Sequence, residues 1–503
     1  MAHPPQKFLQ RLVNRPLIGG LIVGIVSLLV LWLIALKNGM PEPRVQDEFS
    51  YLLAADTFSH ARVANPTPAG WEHFESPHVL VRPTYMSKYP PGQGVALAIG
   101  ELLSGRAILG VWLSTAAVTV AIYWMLLGFV SRGWALMGGL VAAVHPQMLD
   151  WGQVYWGGAV AVMGAAILVG AAARWRKSPS VAVGIGISLG LLVLANSRPF
   201  EGLILSIPIV AAALARRKKW RVLYPAIGVL LIGSILTGYY NFRITGHALR
   251  LPTAEYSAQY DVYPKFWFFP KRTTPAYRND VMRAVHTEWE RGDYDRLRSA
   301  TGFVKISAER VWELLRINAQ PIVLLIPLAA GLIWLDGWIW IALGFFILGI
   351  WAESWFLPHY AAPLLPVMMV VMVIGWRRLG KIVGVLCIVA FLAGVVIHIA
   401  SPLPQDSKRV GRVELTEMYP QLQSGRHLIF VQYEPGHLLD DEWVYNGAEI
   451  ASQNIIWARS LGAAADRELL NLYPNRRVWR LDLGKDQLAL TTSDLPADRN
   501  LQP

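Results

Sequence analysis

Long apolar runs recur along this chain and constrain its fold more than any other feature. The first run, residues 16–36, contains no charged residue. In the hydrocarbon core of a membrane every backbone N–H and C=O group needs a partner within the protein, and a helix supplies these partners within one segment. Of the 503 residues, 54% are hydrophobic and only 16% are charged, which is too apolar for an ordinary soluble enzyme. The sequence therefore predicts an all-α polytopic membrane bundle.

About eleven spans are predicted, because a helix needs roughly 20 apolar residues to cross a bilayer. Two of the runs, 134–149 and 338–350, are shorter than that. The predicted spans are 16–36, 107–130, 134–149, 155–173, 181–195, 202–215, 223–241, 319–335, 338–350, 360–376 and 382–400.

Short basic segments between the spans predict the orientation of the chain. Lys and Arg concentrate in the cytoplasmic loops of membrane proteins. Much of the net charge of +12 lies in these short segments between the spans, so we interpret it as a signal of membrane orientation. No nucleic-acid partner is predicted. The segments that fall on the side of the predicted cytoplasmic N-terminus are Lys7, Arg11, Arg15, Arg132, "RWRK" (174–177), "RRKKWR" (216–221) and "RRLGK" (377–381).

The opposite, extracytoplasmic face then receives two long loops, 37–106 and 242–318, and the C-terminal region. The composition of the chain changes after residue 400, where long apolar runs end. The prediction is a transmembrane catalytic domain at 1–400 and a separate extracytoplasmic domain at 401–503, a normal size for a small domain.

Three segments predict that the C-terminal domain is α/β. "HLIFVQY" (427–433) and "RRVWRLDL" (476–483) have the composition of buried strands, whereas "DRELLNLY" (466–473) has helical spacing. The chain has one cysteine, Cys387, within an apolar run. A single cysteine excludes an intrachain disulfide.

Two adjacent carboxylates, Asp47 and Glu48, follow the first span after about ten residues. They begin the segment "DEFSYLLAADTF", whose apolar residues have helical spacing and predict an interfacial helix. One interpretation is structural, because carboxylates at a helix start interact favourably with the helix dipole. The other is a general base or a metal-binding carboxylate near the membrane plane. The two residues alone leave both open.

Two further segments place cations on the same predicted face. In "SKYPPGQG" the prolines and glycines fix a non-helical approach to the next helix, with Lys88 and Tyr89 at the bilayer surface. Lys88 is either an interfacial anchor or a cation for a lipid phosphate. In "SRPFEG", Arg198 and Glu201 lie between two spans. A guanidinium suits phosphate through its planar donor fork, and a structural pair with Glu201 is the alternative.

Aromatic residues and a histidine join this face. Trp156 belongs to "DWGQVYWGG", and His359 and Tyr360 belong to "ESWFLPHYAAP". Aromatic side chains there either form an ordinary interface belt or stack on a sugar ring. The acids, cations and aromatic residues together have the composition expected of a site for an anionic lipid that carries a sugar.

Four motifs, in chain order, carry a family resemblance: "DEFSYLLAADTF", "SKYPPGQG", "SRPFEG" and "PHYAAP". They resemble bacterial members of the GT-C glycosyltransferase superfamily, in the branch of the protein O-mannosyltransferases and the lipid A aminoarabinose transferase. The resemblance covers residues 16–400 and implies a polyprenyl-phosphate-linked sugar donor, with hexosyl or pentosyl transfer on the extracytoplasmic face of the bacterial inner membrane. It also implies that Asp47 is the catalytic base and that Glu48 matches the second acid of the family pair.

The region after residue 400 departs from the accessory domains of those relatives, so the resemblance names no acceptor: a lipid, a glycan and a protein all stay open. A single displacement with one base would invert the anomeric centre. Some superfamily members use a divalent metal and others do not, and two adjacent acids are too few to show a metal site.

Two other functions are compatible with parts of the pattern. A transporter or flippase of a lipid-linked substrate would have similar helices and phosphate-binding cations, but it would be expected to bury charges in the middle of its helices. A non-catalytic receptor would use the C-terminal domain for binding and would leave the motifs around Asp47 and Lys88 unexplained. The sequence favours the transferase.

Overall fold

A computed structural model describes residues 15–215, 220–401, 410–484 and 488–492 of the chain. Within these ranges, six helices are long and apolar enough to cross a membrane, as expected of a multi-pass membrane protein. Lys7, Arg11 and the basic residues at 216–219 lie outside the described ranges. The six helices are α1 (Pro16–Asn38), α4 (Ala107–Leu126), α7 (Ala159–Lys177), α10 (Tyr224–Thr245), α18 (Lys381–Ala400) and Pro358–Arg378, which is a 3₁₀ turn followed by α17 (Leu365–Arg378).

The predicted count of eleven spans is not confirmed. Three predicted spans are apolar helices of 15 or 16 residues: α8 (Val181–Ala195), α9 (Pro199–Leu214) and α16 (Gly337–Ala352). Helices this short reach less than the roughly 30 Å of the hydrocarbon core. Of the described residues, six helices qualify as spans, or seven if one sharply bent pair is counted as a single span.

The two remaining predicted spans are broken helices. The run 134–149 divides into α5 (Arg132–Ala143) and α6 (Pro146–Trp151), because Pro146 lacks the N–H that a continuing helix would use. The run 319–335 forms a short 3₁₀ turn and α15 (Leu325–Leu332). The helix before this turn, α14 (Ala300–Asn318), lies within the predicted loop 242–318. The chain bends by 99° between α14 and the segment formed by the turn and α15.

Contacts between helix ends show which segments share one end of the bundle. Lys37 Nζ donates to the carbonyl oxygen of Ile399 at 2.5 Å, and His398 Nε2 lies 2.8 Å from Asp150 Oδ1. The first span, the Asp150 link and the end of α18 therefore lie together. Basic residues of the 174–177 and 377–381 segments line one cavity near the start of α18, at the opposite end of that helix. Which end faces the cytoplasm stays a prediction.

The loop 37–106 contains the elements that position the acid pair. A helix is present where the interfacial helix was predicted, as α2 (Gln46–Ser59), but most of its residues are buried within the protein; α3 (Pro91–Ser104) is a helix that the sequence did not predict. The two helices pack closely at Gly94, where an added Cβ would lie 2.7 Å from Ala54 Cβ. Between them, three short strands pair antiparallel in the order β1-β3-β2: β1 (Asn65–Pro66), β2 (Val79–Leu80) and β3 (Thr84–Ser87).

The loop 242–318 is also structured. Its described elements are α11 (Pro252–Tyr260), α12 (Asp280–Ala284), a π-helical turn (Val285–Trp289), α13 (Tyr294–Leu297) and α14. The turn continues directly from α12.

A four-stranded sheet forms the small C-terminal domain. Its order is β5-β4-β6-β7, with β4 (His427–Tyr433) parallel to both neighbours and β7 antiparallel to β6. The structure contains the two predicted strands and the predicted helix, and it adds β5 and β7. The domain boundary at residue 400 stays a prediction. The other elements are α19 (Arg412–Met418), β5 (Ile455–Arg459), α20 (Ala463–Leu472), β6 (Arg477–Leu483) and β7 (Leu488–Thr492).

The C-terminal domain packs directly on α2. The Phe49 ring stacks on Tyr445 with 4.8 Å between centroids, and Ala448 N donates to Asp56 Oδ2 at 2.6 Å. Val45 forms an isolated β-bridge with Asp441. The helix that begins with the acid pair is therefore held between the helical bundle and the C-terminal sheet.

Candidate functional site

Asp47 lies in the first turn of α2 with its carboxylate in a polar environment. Its Oδ1 accepts a hydrogen bond from the Tyr89 hydroxyl, and its Oδ2 lies 3.8 Å from His78 Nε2. Burial raises the pKa of Asp47, while the Tyr89 hydrogen bond and the nearby Lys88 and Arg198 charges act in the opposite direction. A carboxylate whose pKa is raised from its ordinary value is a better proton acceptor when it is ionised.

Glu48 has a different environment from its neighbour. Its Oε2 accepts from the backbone N–H groups of Arg44 at 2.8 Å and Val45 at 3.2 Å, and its Oε1 accepts from Tyr155 N at 3.0 Å. The first two bonds satisfy donors just ahead of the helix, as in a capping box. Glu48 therefore holds the start of α2 in place, with both of its oxygens occupied by backbone donors.

A cavity of about 390 Å³ brings together most of the predicted site. Its walls come from α2, from the segment after β3, from the start of α9, from the loop 242–318 and from the segment between α16 and α17. Six of the nine predicted site residues line it: Asp47, Lys88, Tyr89, Arg198, Glu201 and Tyr360.

Cations surround this cavity. The Arg198 guanidinium lies over the Tyr360 ring, 4.9 Å from its centroid, and Lys88 Nζ lies 4.6 Å from the Tyr256 centroid. Lys265, which the sequence analysis did not select, contributes a third cation. Because its Nζ is 3.4 Å from Glu201 Oε1, Glu201 already has an ion-pair partner other than Arg198.

A second buried acid, Glu353, lies on the same wall. It is 1% exposed, and its Oε2 is 3.8 Å from Lys265 Nζ. Burial, together with the charge of Glu201, raises the pKa of Glu353 well above its ordinary value. Among the residues that the structure describes, no hydrogen-bond partner reaches Glu353 Oε1.

His78 connects the acid pair to the loop 242–318. Burial lowers the pKa of His78 well below its usual value, so its imidazole is neutral at pH 7. Its backbone N–H donates to the Tyr256 hydroxyl at 3.0 Å, and that hydroxyl lies 3.0 Å from His286 Nε2. Polar contacts through His78 and Tyr256 therefore link Asp47 to His286.

The remaining three predicted site residues lie outside this cavity. Glu48 and Trp156 line a neighbouring cavity of about 630 Å³, whose walls include 410–412 and 440–443 of the C-terminal region. His359 is 4% exposed and packs edge-on against the Trp156 ring at 4.2 Å between centroids. These residues contact the protein itself, and their predicted contact with substrate stays a prediction.

Sequence reasoning missed several residues that line the 390 Å³ cavity, among them His78, Asp261, Lys265, Trp289 and Glu290. One signal was available: in "HTEWE", His286 and Glu290 are four residues apart, a spacing that places two side chains on one helix face. His78 and Lys265 stand in segments with no comparable pattern. Only the packing of the loops identifies them.

No protein-family model matches the chain, and no curated protein matches its sequence. Structures similar to it include ArnT from Cupriavidus metallidurans in the apo state, at 14% identity and a TM-score of 0.44, with 74% of this chain and 62% of that chain covered. The structure of ArnT from the same organism bound to undecaprenyl phosphate is similar at 14% identity and a TM-score of 0.42, with the same 74% of this chain and 62% of that chain covered. This chain therefore spans 62% of the length of ArnT.

Archaeal oligosaccharyltransferase AglB from Archaeoglobus fulgidus, in complex with an inhibitory peptide and a dolichol-phosphate, is similar at 13% identity and a TM-score of 0.36, with 93% of this chain and 69% of that chain covered. ArnT and AglB are both GT-C superfamily members. All of these TM-scores lie below 0.5.

Proposed function

We propose that this protein is a glycosyltransferase that moves a sugar from a polyprenyl-phosphate donor to an acceptor on the extracytoplasmic face of a bacterial inner membrane. One observation carries the proposal: a partly buried carboxylate, Asp47, shares a cavity of about 390 Å³ with three cations, Lys88, Arg198 and Lys265. This pairing of a base with phosphate-binding cations is the one that transfer from a lipid phosphate requires.

In the proposed reaction, Asp47 takes the proton from an acceptor hydroxyl or amine. The acceptor atom attacks the anomeric carbon, a new bond forms there, and the bond from that carbon to the phosphate oxygen breaks. The electron pair leaves with the phosphate. Attack on the side opposite the leaving group inverts the anomeric centre, because only one displacement occurs.

The cations have the complementary role. Negative charge grows on the phosphate as its bond to the sugar breaks, and cations held in place beside it stabilise that charge. Arg198 is suited to this task because it is the N-cap residue of α9 and its guanidinium is held over the Tyr360 ring. Tyr360 and Tyr89 offer aromatic faces for the sugar.

Transport of a lipid-linked substrate is the competing function. Its expected signature is charge buried in the middle of a spanning helix. Here Arg198 precedes α9 and Glu201 is in its first turn, so these charges lie at a helix end.

The test uses the Asp47→Asn variant in proteoliposomes that contain undecaprenyl-phosphate-linked hexoses, pentoses and an amino sugar as donors, each combined with lipid, glycan and protein acceptors. Loss of a general base lowers a rate by about 10²- to 10⁴-fold. We expect that loss in sugar transfer, with binding of undecaprenyl phosphate retained. Asp56→Asn, on the same helix, is the matched control and should keep its rate. Near-normal transfer by Asp47→Asn would remove Asp47 from the role of base.

A further inference from the structure

Three side chains of metal-ligating type meet in the described part of the loop 242–318: Asp261, His286 and Glu290. Each offers one ligand atom, and the three atoms all lie within 4.8 Å of one another. His286 Nδ1 is 2.6 Å from Glu290 Oε2 and 3.4 Å from Asp261 Oδ1. Both carboxylates therefore converge on the same ring nitrogen.

These distances are close to those of a bound ion. Zinc lies about 2.0–2.2 Å from imidazole nitrogen and carboxylate oxygen, so two ligand atoms of one tetrahedral ion are roughly 3–3.5 Å apart. The Asp261–His286 separation already has this value, and the Glu290–His286 pair needs to open by less than about 1 Å. Asp261 Oδ1 has no hydrogen-bond partner among the described residues, so an ion would not have to displace one.

The other ring nitrogen of His286 has the partner that metal-binding histidines usually have. Its Nε2 lies 3.0 Å from the Tyr256 hydroxyl, which accepts a further hydrogen bond from His78 N. Such an outer partner fixes the tautomer and the orientation of the ring. His286 is fully buried, so Nδ1 is held in one direction, toward the two carboxylates.

The backbone that presents His286 is unusual. Residues Val285–Trp289 form a π-helical turn, and single π-turns in proteins frequently mark functional sites. Glu290 follows the turn, and Asp261 comes from the end of α11. Asp261, Trp289 and Glu290 also line the 390 Å³ cavity, so the cluster has a side open to that cavity.

We propose that Asp261, His286 and Glu290 bind one divalent transition-metal ion, such as Zn²⁺ or Mn²⁺, at the wall of the cavity that contains Asp47. Two carboxylate oxygens and one imidazole nitrogen are a ligand set that suits these ions. With three protein ligands, a coordination position remains for an oxygen of a ligand in the cavity. If the proposed function is right, that oxygen belongs to the donor phosphate, and this one step rests on the proposed function. Metal binding by the three residues does not depend on it.

The competing arrangement is an ion pair without metal, in which a protonated His286 bridges the two acids. Glu290→Gln separates the two arrangements, because the amide oxygen still accepts a hydrogen bond from His286 Nδ1–H but is a poor metal ligand. Asp261→Asn makes the same change at the second acid. Glu288→Gln is the matched control: it removes an exposed acid from the same π-helical turn, and its side chain is 64% exposed.

Equilibrium dialysis of the full-length, EDTA-treated protein in detergent, first with ZnCl₂ and then with MnCl₂, measures stoichiometry and affinity. We expect one ion per chain in the wild type and in Glu288→Gln, and at least about tenfold weaker binding in Glu290→Gln and Asp261→Asn. No saturable binding by the wild type, or equal affinity in all four proteins, would overturn the metal site. A separate titration with undecaprenyl phosphate tests the proposed function: an ion that binds while the lipid phosphate does not would leave the metal site standing and reject the donor.

Discussion

Asp47 and Glu48 are neighbours in sequence, yet they lie against different cavities. The Asp47 carboxylate lines the cavity of about 390 Å³ that contains Lys88 and Arg198, whereas Glu48 lines the larger cavity next to the C-terminal region. Consecutive residues of a helix point about 100° apart, so the start of α2 turns one acid toward each side. One carboxylate is available to a substrate, and the backbone N–H groups around the other occupy its two oxygens.

The two cavities are also formed by different segments. Charged side chains line both, but the first includes the cations Lys88, Arg198 and Lys265, while the second lies beside the segment that leads from the first span into α2 and beside 440–443 of the C-terminal region. The start of α2 therefore separates a carboxylate that is available to a substrate from one that supports the backbone.

The largest effect in this comparison is expected from Asp47→Glu. The variant keeps the charge but extends the carboxylate by one methylene, and a misplacement of about 1 Å can lower a rate by about 10²-fold. Initial rates of sugar transfer would measure this loss. Glu48→Asp, the inverse change at the neighbouring position, should lower the rate less. Equal losses in the two variants would place both acids in the chemistry.

Arg198→Lys is expected to weaken donor binding by roughly tenfold or more, because an ammonium cannot reproduce the two-pronged contact of a guanidinium with phosphate. Undecaprenyl-phosphate affinity and thermal stability of the variant separate a binding role from a structural one. Glu201→Gln is the companion variant, since Glu201 pairs with Lys265 at 3.4 Å. Unchanged lipid binding with lowered stability in Arg198→Lys would make Arg198 structural.

Glu48→Gln should act on stability before it acts on rate. A glutamine offers one acceptor oxygen where glutamate offers two, so at least one backbone N–H of Arg44, Val45 or Tyr155 loses its partner. A buried donor left unsatisfied costs about 1–3 kcal/mol in the free energy of unfolding. Thermal unfolding in detergent checks this, with Glu42→Gln from the same segment as the control. An unchanged unfolding temperature would show that the cap is dispensable.

Tyr89→Phe should move the pH dependence with little loss of rate at high pH. The Tyr89 hydroxyl donates to Asp47 and so favours the ionised form, which lowers the pKa of Asp47 against the effect of burial. Transfer rises with pH as Asp47 loses its proton, and removal of the hydrogen bond shifts this rise to higher pH. The profile of kcat/KM against pH measures the shift. A shift to lower pH would contradict Asp47 as the titrating base.

The smallest effect is expected at Trp156, which lines the cavity on the Glu48 side. Trp156→Phe keeps an aromatic ring against His359, so donor affinity should change by less than about threefold, or about 0.7 kcal/mol. If this variant weakened undecaprenyl-phosphate binding more than Arg198→Lys did, the larger cavity would become the donor site, and the roles of the two cavities would be exchanged.

Local features of the sequence predicted much of the fold. Every predicted span overlaps at least one helix in the described residues, because apolar composition over many residues is a local property that determines burial in a membrane. The count of eleven spans is not confirmed where Pro146 divides a run and where α8, α9 and α16 are short. The helix α3 was missed because its apolar residues, 95–103, were read as part of the loop 37–106 and its first turn contains a proline and two glycines.

The sequence by itself determined the apolar helices, the strands "HLIFVQY" and "RRVWRLDL", and the residue types of the acid pair. Their periodicity and composition are local properties that can be read from a short run of consecutive residues. Only the tertiary structure decided that Asp47 and Glu48 have different surroundings, and that Lys265 and Glu353 join residues from near the start of the chain. The physical reason is that a site is made by the packing of distant segments, and no local pattern encodes which loop reaches which helix end.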